Sequence, residues 1–233
     1  MKSDEKIYIS ENYFNNPKQQ FVFLKDIMIE LNTNNFSVLD LGCARGEFLY
    51  FISKSLDSKK LVGVDISNKM IQNAKGNNLL KGIDFHESDI LNFNLDYKFD
   101  FITISGLISY LKINQLEELI QNAKKHLNKK GFILLFGIFN TNNIDVIVEY
   151  RNLNESIEIK NGRNSYSTMT INKISKSLGM NLVNIEKFDL STNLMKSENI
   201  ERNWTVNLDG NKMFMNGMGQ IFNLFCLVIK NDE

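Results

Sequence analysis

Three carboxylates follow or end apolar runs in the first hundred residues. Asp40 closes Phe36-Ser37-Val38-Leu39, Asp65 closes Leu61-Val62-Gly63-Val64, and Asp89 comes just after Ile83-Asp84-Phe85-His86. Gly42 and Gly46 follow the first acid, and an amphipathic stretch begins at Phe48. If the runs are parallel strands, their acids lie along one sheet edge, where ligands of open α/β sheets bind. Three carboxylates there suit a ligand with several donors: an ammonium, a ribose diol and an exocyclic amine. Asp65 has the clearest role, because one carboxylate accepts from both ribose hydroxyls. Alone, Asp40 or Asp89 would serve equally as a helix cap or turn residue. The ordered set, with glycines after its first member, carries the ligand reading.

The flanking elements must then place these acids. Asn16-Pro17 predicts a helix start, with Phe21, Leu24, Met28 and Leu31 on one face and a stop at Asn32-Thr33-Asn34-Asn35. Phe48, Leu49, Phe51, Ile52 and Leu56 repeat with helical period, and Ser67 caps a helix holding Met70, Ile71 and Ala74. A fourth strand is expected over Phe99 to Ser105 and a helix over Gln115 to Leu127, with Asn114 and Glu117 as its capping box. Gly131 closes that connection and Phe132 to Phe136 makes the fifth strand. Strands alternating with helices imply a mostly parallel sheet covered on both faces. Beyond Asn140 the chain turns polar and irregular up to Tyr166. It then predicts a helix over Ser167 to Leu178 closed by Gly179, a strand over Leu182 to Phe188, and an exposed alternating strand at Trp204 to Leu208. Asp209-Gly210 would turn that strand into Lys212 to Met215, and Gln220 to Ile229 would be the last strand.

Composition narrows the partners. Lys+Arg and Asp+Glu balance at 27 each, with 43% hydrophobic and 23% charged residues, as in an ordinary globular protein. The pairs Lys59-Lys60, Lys124-Lys125 and Lys129-Lys130 read as solvated helix ends and loops, so nucleic acid is not expected as a partner. No apolar run approaches membrane-spanning length, and Met1 to Lys6 has no apolar signal core behind it. Cys43 and Cys226 lack metal-ligand spacing, so reducing cytoplasm is expected and no metal site is. Oligomeric state is not legible.

On Asp40, Gly42, Gly46, Asp65 and Asp89, residues 36–138 resemble a class I S-adenosylmethionine-dependent methyltransferase. That family's first turn reads acid-x-Gly-x-Gly-x-Gly. Here Ala44 replaces the middle glycine, a small residue that resists positive φ. The resemblance implies an α/β, Rossmann-like, doubly wound, mostly parallel seven-stranded sheet with an antiparallel last strand, plus a small β-hairpin insertion near the C-terminus. It implies one domain: an N-terminal helical cap over 1–35, a cofactor core over 36–138, substrate-recognition segments over 139–219 and a final strand over 220–233. It also implies S-adenosylmethionine as cofactor. Gly42, Cys43 and Ala44 would pass its methionyl part, with Asp40 and Gly46 framing the turn. Asp65 would hold the ribose, with Ile66 and Met70 beside the nucleoside. Asp89 and Ile90 would meet the adenine, and Ser105 the methionyl ammonium and transferred methyl.

The dinucleotide fingerprint Gly-x-Gly-x-x-Gly competes for the same turn. It would fall on Gly42, Ala44 and Glu47, losing its second glycine and placing a carboxylate where pyrophosphate should lie. For the acceptor, a small-molecule hydroxyl is expected, on a sugar or a phosphorylated or nucleotide-linked metabolite. N-methylation, an NAD-dependent oxidoreductase and a non-catalytic partner subunit are the alternatives. The catalytic base is not identified. Tyr110, His86 and Tyr166 are candidates, His126 is expected to be exposed at a helix end, and Tyr13 and Tyr150 are further tyrosines of the same kind. Tyr110, Arg151, Arg163 and Tyr166 are candidate substrate contacts, the arginines through fork-shaped recognition of phosphate or carboxylate. The Asn/Asp-Pro-Pro-Tyr/Phe motif shared by methyltransferases of adenine exocyclic amines or glutamine amides is absent after the fourth strand, and the Pro-Cys nucleophile of cytosine C5 enzymes is excluded because Pro17 is the chain's one proline.

Overall fold

The structure, a computed structural model, describes residues 13–31, 35–151, 153, 158–198 and 202–232. The expected leaderless start and the stop at Asn32-Thr33-Asn34 lie outside these residues. The chain divides into two compact units: residues 1–104, 118–134 and 231–233, and residues 105–117 and 135–230.

In the first unit, α1 (Gln19–Leu31) buries Phe21, Leu24, Ile27 and Met28. It starts two residues later than Asn16-Pro17 predicts. β1 (Phe36–Leu41) is buried at all six positions, as a strand covered on both faces must be. α2 (Glu47–Ser55), β2 (Ser58–Asp65), α3 (Asn68–Gly76) and β3 (Asp84–Glu87) follow. β4 (Phe99–Ser105) and the start of β5 (Leu127–Asn140) complete the sheet order β5-β4-β1-β2-β3. β1 pairs in parallel with both β2 and β4, and β2 with β3, so their C-terminal ends share one edge. Phe101 ties the packing together, edge-on to Phe36 at 5.2 Å and stacked with Phe132 at 5.8 Å.

Three expectations here need correcting. β5 is not confined to Phe132 to Phe136; it runs through Lys129-Lys130-Gly131, with Lys130 at φ 61°. α4 (Ile113–Lys125) is capped not by Asn114 and Glu117 but by Gln115, whose Oε1 accepts from the Lys112 backbone N–H at 2.9 Å. His126 is also not exposed. It is 4% accessible, stacks on Phe93 at 4.5 Å, and its Nε2 accepts from the Leu95 N–H at 3.1 Å. Its Nδ1 then donates to the Asn122 carbonyl at 3.0 Å, so both ring nitrogens are engaged in packing.

The second unit contains the short ribbon β6 (Glu149–Tyr150) and β7 (Lys160–Asn161), then β8 (Tyr166–Ser167), α5 (Thr168–Ser177) and β9 (Met180–Phe188). β10 (Asn203–Leu208) and β11 (Asn211–Asn216) form the expected hairpin. Asp209 and Gly210 take φ 50° and 80°, the double positive φ that a tight hairpin turn with right-handed twist requires. β12 (Ile221–Asn231) is the last strand. The hairpin is no detached insertion: strand order runs β10-β11-β12-β5, with β9 also on β12. A ladder of rings holds it, with Phe136, Phe188, Phe214 and Phe222 in contact at 5.3, 6.3 and 6.3 Å in turn. The strand predicted to be exposed is partly covered: Trp204, on the face opposite Phe214, is only 7% accessible. The fold is mixed α/β and Rossmann-like, mostly parallel, with a C-terminal hairpin.

Candidate active site

The turn after β1 is built by hydrogen bonds to β2. The Gly42 and Cys43 N–H groups both donate to the Val64 carbonyl, at 2.7 and 3.1 Å, and Gly46 N–H returns to the Cys43 carbonyl at 2.9 Å. Gly42, Ala44 and Gly46 take φ 80°, 48° and 81°. Gly46 caps α2 in this left-handed state, and a Cβ on it would lie 2.6 Å from Phe85 Cζ. Ala44 therefore adopts the conformation it resists, which costs about 1–2 kcal/mol. A compensating contact accompanies it: Ala44 N–H donates to Asp65 Oδ2 at 2.9 Å.

Asp65 uses its other oxygen to accept from the Ser67 N–H at 2.9 Å, just where Ser67 caps α3. Two backbone donors thus orient this carboxylate, and an ionised carboxylate retains about two further lone-pair sites for a diol. Asp40 lies one residue inside the strand end, 5% accessible, and its Oδ1 accepts from the Thr103 hydroxyl on β4 at 2.7 Å. Burial raises the Asp40 carboxyl from 3.8 to about 7 against the pull of Thr103, and the charges of Asp65 and Glu47 push it the same way. Glu47, itself buried, is held by Arg45 at 2.6 Å. Cys43 is buried with its thiol raised far above the usual range, by burial first and then by Asp40 and Asp65. Its Sγ lies where a Cβ on Gly63 would be, 2.6 Å from that position, so Gly63 makes room for the turn.

Asp89 sits in a turn closed by its own Oδ1, which accepts from Leu91 N–H at 2.9 Å. The turn is tied back to the site by Ser88 N–H on the Asp65 carbonyl at 3.0 Å. Ile66 is half exposed at 50%, Ile90 partly exposed, and Met70 buried on the inner face of α3. His86 is exposed on β3 opposite Val64. Thus one unit brings Asp40, Gly42, Cys43, Ala44, Gly46, Asp65, Ile66, Met70, Asp89 and Ile90 together. The sequence reading missed Thr103 and the Arg45–Glu47 pair. The available signal for Thr103 was a hydroxyl within the apolar stretch Phe101–Ile104, which must find an acceptor when buried.

The remaining candidates belong to the second unit. Ser105 ends β4, and Tyr110 lies in a short 3-10 turn over Ile108–Tyr110. That turn is fastened by the segment before β8: Asn164 N–H donates to the Ser109 carbonyl at 2.8 Å, and Asn161 Nδ2 to the Tyr110 carbonyl at 3.0 Å. The Arg163 guanidinium stands 5.4 Å from the Tyr110 ring centroid, while Arg151 is exposed. Tyr166 is 0% accessible and donates its hydroxyl to the Leu111 carbonyl at 2.7 Å. Burial also raises its phenol. A phenol so enclosed serves the turn rather than a substrate.

Residues 38–131 match the family described as "Methyltransferase domain". Among curated relatives, carboxy-S-adenosyl-L-methionine synthase of Campylobacter jejuni is 29% identical over 112 residues, 47% of each chain. Malonyl-[acyl-carrier protein] O-methyltransferase of Bacillus cereus is 30% identical over 131 residues, 55% of this chain and 48% of the relative. The chain thus spans about half the length of the curated relatives it matches. A solved S-adenosylmethionine-dependent methyltransferase from Clostridium acetobutylicum shares the fold, with TM-score 0.62 at 16% identity over 99% of this chain and 96% of its own. No helix among the described residues is long and apolar enough to cross a membrane.

Proposed function

We propose that this chain methylates a hydroxyl of a small polar acceptor, using S-adenosylmethionine as donor. The carrying observation is that Asp40 is raised to about 7 by burial first, with the carboxylates of Asp65 and Glu47 beside the same turn adding to it. Such a site gains by accepting a cation and repels a phosphate. The same carboxylates count against a dinucleotide, already disfavoured by Ala44 and Glu47. When bound, S-adenosylmethionine supplies a methyl group on a sulfonium, set for in-line displacement. The chain's part is to hold and neutralise. Asp40 answers positive charge beside the Gly42–Gly46 turn, and Asp65, oriented by the Ala44 and Ser67 N–H groups, accepts from the ribose. Ile66, Met70, Asp89 and Ile90 complete the contacts in this reading. The Campylobacter relative's name supports a sulfonium nucleoside as ligand, and the Bacillus relative's name supports oxygen as the atom modified.

On the acceptor side we favour a sugar or a phosphorylated or nucleotide-linked metabolite, met by Tyr110, Arg163 and Arg151. Zero net charge supports a small molecule over nucleic acid. Two buried free thiols are in keeping with a reducing cytoplasm. Calorimetry tests the donor half: S-adenosylmethionine and its demethylated product should bind in the micromolar range, and Asp65→Ala should weaken both roughly tenfold or more. Absence of binding by either compound would sink the proposal. Release of the demethylated product over a panel of hydroxylated acceptors tests the other half.

A further inference from the structure

Asp40 is buried among groups that leave its carboxyl one hydrogen bond. Its Oδ1 meets the Thr103 hydroxyl at 2.7 Å, and the two residues are register partners in the parallel β1–β4 pair. Its other oxygen has no hydrogen-bond partner among the described residues. The backbone donors of the adjoining turn are bonded elsewhere: Gly42 and Cys43 N–H to the Val64 carbonyl, Gly46 N–H to the Cys43 carbonyl, and Ala44 N–H to Asp65. The charges facing Asp40 are chiefly of its own sign. β2 brings Asp65 and α2 brings Glu47, while Arg45 is bonded to Glu47 through Nε and Nη2 at 2.9 and 2.6 Å. The Cys43 thiol in the turn is held neutral, and β4 contributes Thr103, which does not titrate.

A buried carboxylate with one hydroxyl donor and two like charges for neighbours keeps its proton until a cation arrives. Thr103 can serve both states. A hydroxyl has one proton and two lone pairs, and Thr103 Oγ1 has two acceptors in reach, Asp40 Oδ1 at 2.7 Å and the Leu39 carbonyl at 3.4 Å. With Asp40 ionised, the hydroxyl donates to it. With Asp40 protonated, the carboxyl donates to Oγ1 and the hydroxyl turns to Leu39. We infer that donor and proton compete for Asp40, with Thr103 as the positioning residue that turns between the two states. The positively charged donor displaces one proton from the carboxyl to solvent, and that O–H bond is the one bond broken. This competition, which rests on the donor reading proposed above, makes donor binding sensitive to pH. Burial holds the Asp40 carboxyl of the free protein at about 7. Below that pH a proton must be expelled and donor affinity falls; above it the carboxyl is already ionised and affinity levels off. The Thr103 hydroxyl favours the ionised form, so removing it moves this profile to higher pH.

Calorimetry of S-adenosylmethionine binding to the full chain, in buffers of differing ionisation enthalpy, counts the protons released. For a carboxyl at about 7, the count should be roughly 0.9 per donor at pH 6 and roughly 0.2 at pH 7.5, with affinity roughly eightfold weaker at pH 6. Thr103→Val should raise the count at pH 7.5 to roughly 0.5 or more and weaken the donor there about threefold, and Thr103→Ser should restore the parental profile. A hydroxyl that served packing alone would move the melting temperature and leave the proton count where it was. A count under about 0.3 at pH 6 with the donor bound, or equal counts for the parent and Thr103→Val at pH 7.5, overturns the inference and leaves the donor reading standing. No donor binding at either pH overturns both.

Discussion

Replacing Asp40 by asparagine should make the protein more stable at neutral pH and a poorer binder of its donor. The carboxyl is raised from 3.8 to about 7, chiefly by burial, with Asp65 and Glu47 adding to it. Below 3.8 the group is protonated folded and unfolded, so it contributes no pH dependence. Between 3.8 and about 7 the native state keeps the proton and the unfolded chain has lost it. Stability therefore falls as pH rises through this window, by about 1.4 kcal/mol per unit, and above it the whole burial penalty is present. Three units make that penalty roughly 4 kcal/mol, an upper bound because relaxation and water entry relieve part of it. Asparagine offers the Thr103 hydroxyl an equivalent acceptor and does not titrate. Urea unfolding of both proteins at intervals from pH 4 to pH 8 gives the test. The variant's advantage should grow across the range by up to roughly 4 kcal/mol, with the urea m-value unchanged. A difference between the two proteins that stays constant with pH would refute the reasoning, because it would mean that Asp40 ionises normally. Calorimetry above pH 7 should show weaker S-adenosylmethionine binding in the variant, since the charge that answers the sulfonium and ammonium is gone.

Ala44→Gly should relieve the strained φ of 48° and stabilise the fold by about 0.5–1 kcal/mol, read as a raised urea midpoint, with donor affinity kept or improved. Gly46→Ala should destabilise by roughly 2 kcal/mol or more, because its φ is 81° and the new Cβ would meet Phe85 Cζ at 2.6 Å; a melting temperature like that of the parent would contradict the turn geometry. Tyr166→Phe should cost about 1 kcal/mol, the low end for a buried hydrogen bond, since Asn164 Nδ2 also donates to the Leu111 carbonyl at 2.9 Å. Methyl transfer by that variant should proceed at the parental rate; a large fall in kcat with unchanged stability would return the phenol to the list of catalytic groups.

The sequence by itself determined the features whose cause is local. Gly42 and Gly46 had to supply left-handed backbone between a buried strand and a helix, Ser67 had to cap, and Asp209-Gly210 had to turn a hairpin. All of these stand in the structure. The alternation of apolar runs and helical periods likewise required a parallel sheet with Asp40 and Asp65 toward one edge. Tertiary structure alone decided the rest, because the partners are far apart in the chain. Thr103 reaches Asp40 across 63 residues, Asp65 steadies Ala44 across 21, and His126 meets Leu95 across 31. Periodicity says that a histidine at a helix end has water available; it says nothing of Phe93 folding over it. The Phe136, Phe188, Phe214 and Phe222 ladder similarly draws the hairpin onto the sheet, although each ring alone reads only as one more apolar residue. The acids therefore mark one sheet edge in the sequence, while the charge state of Asp40 depends on burial, which only the folded neighbours impose.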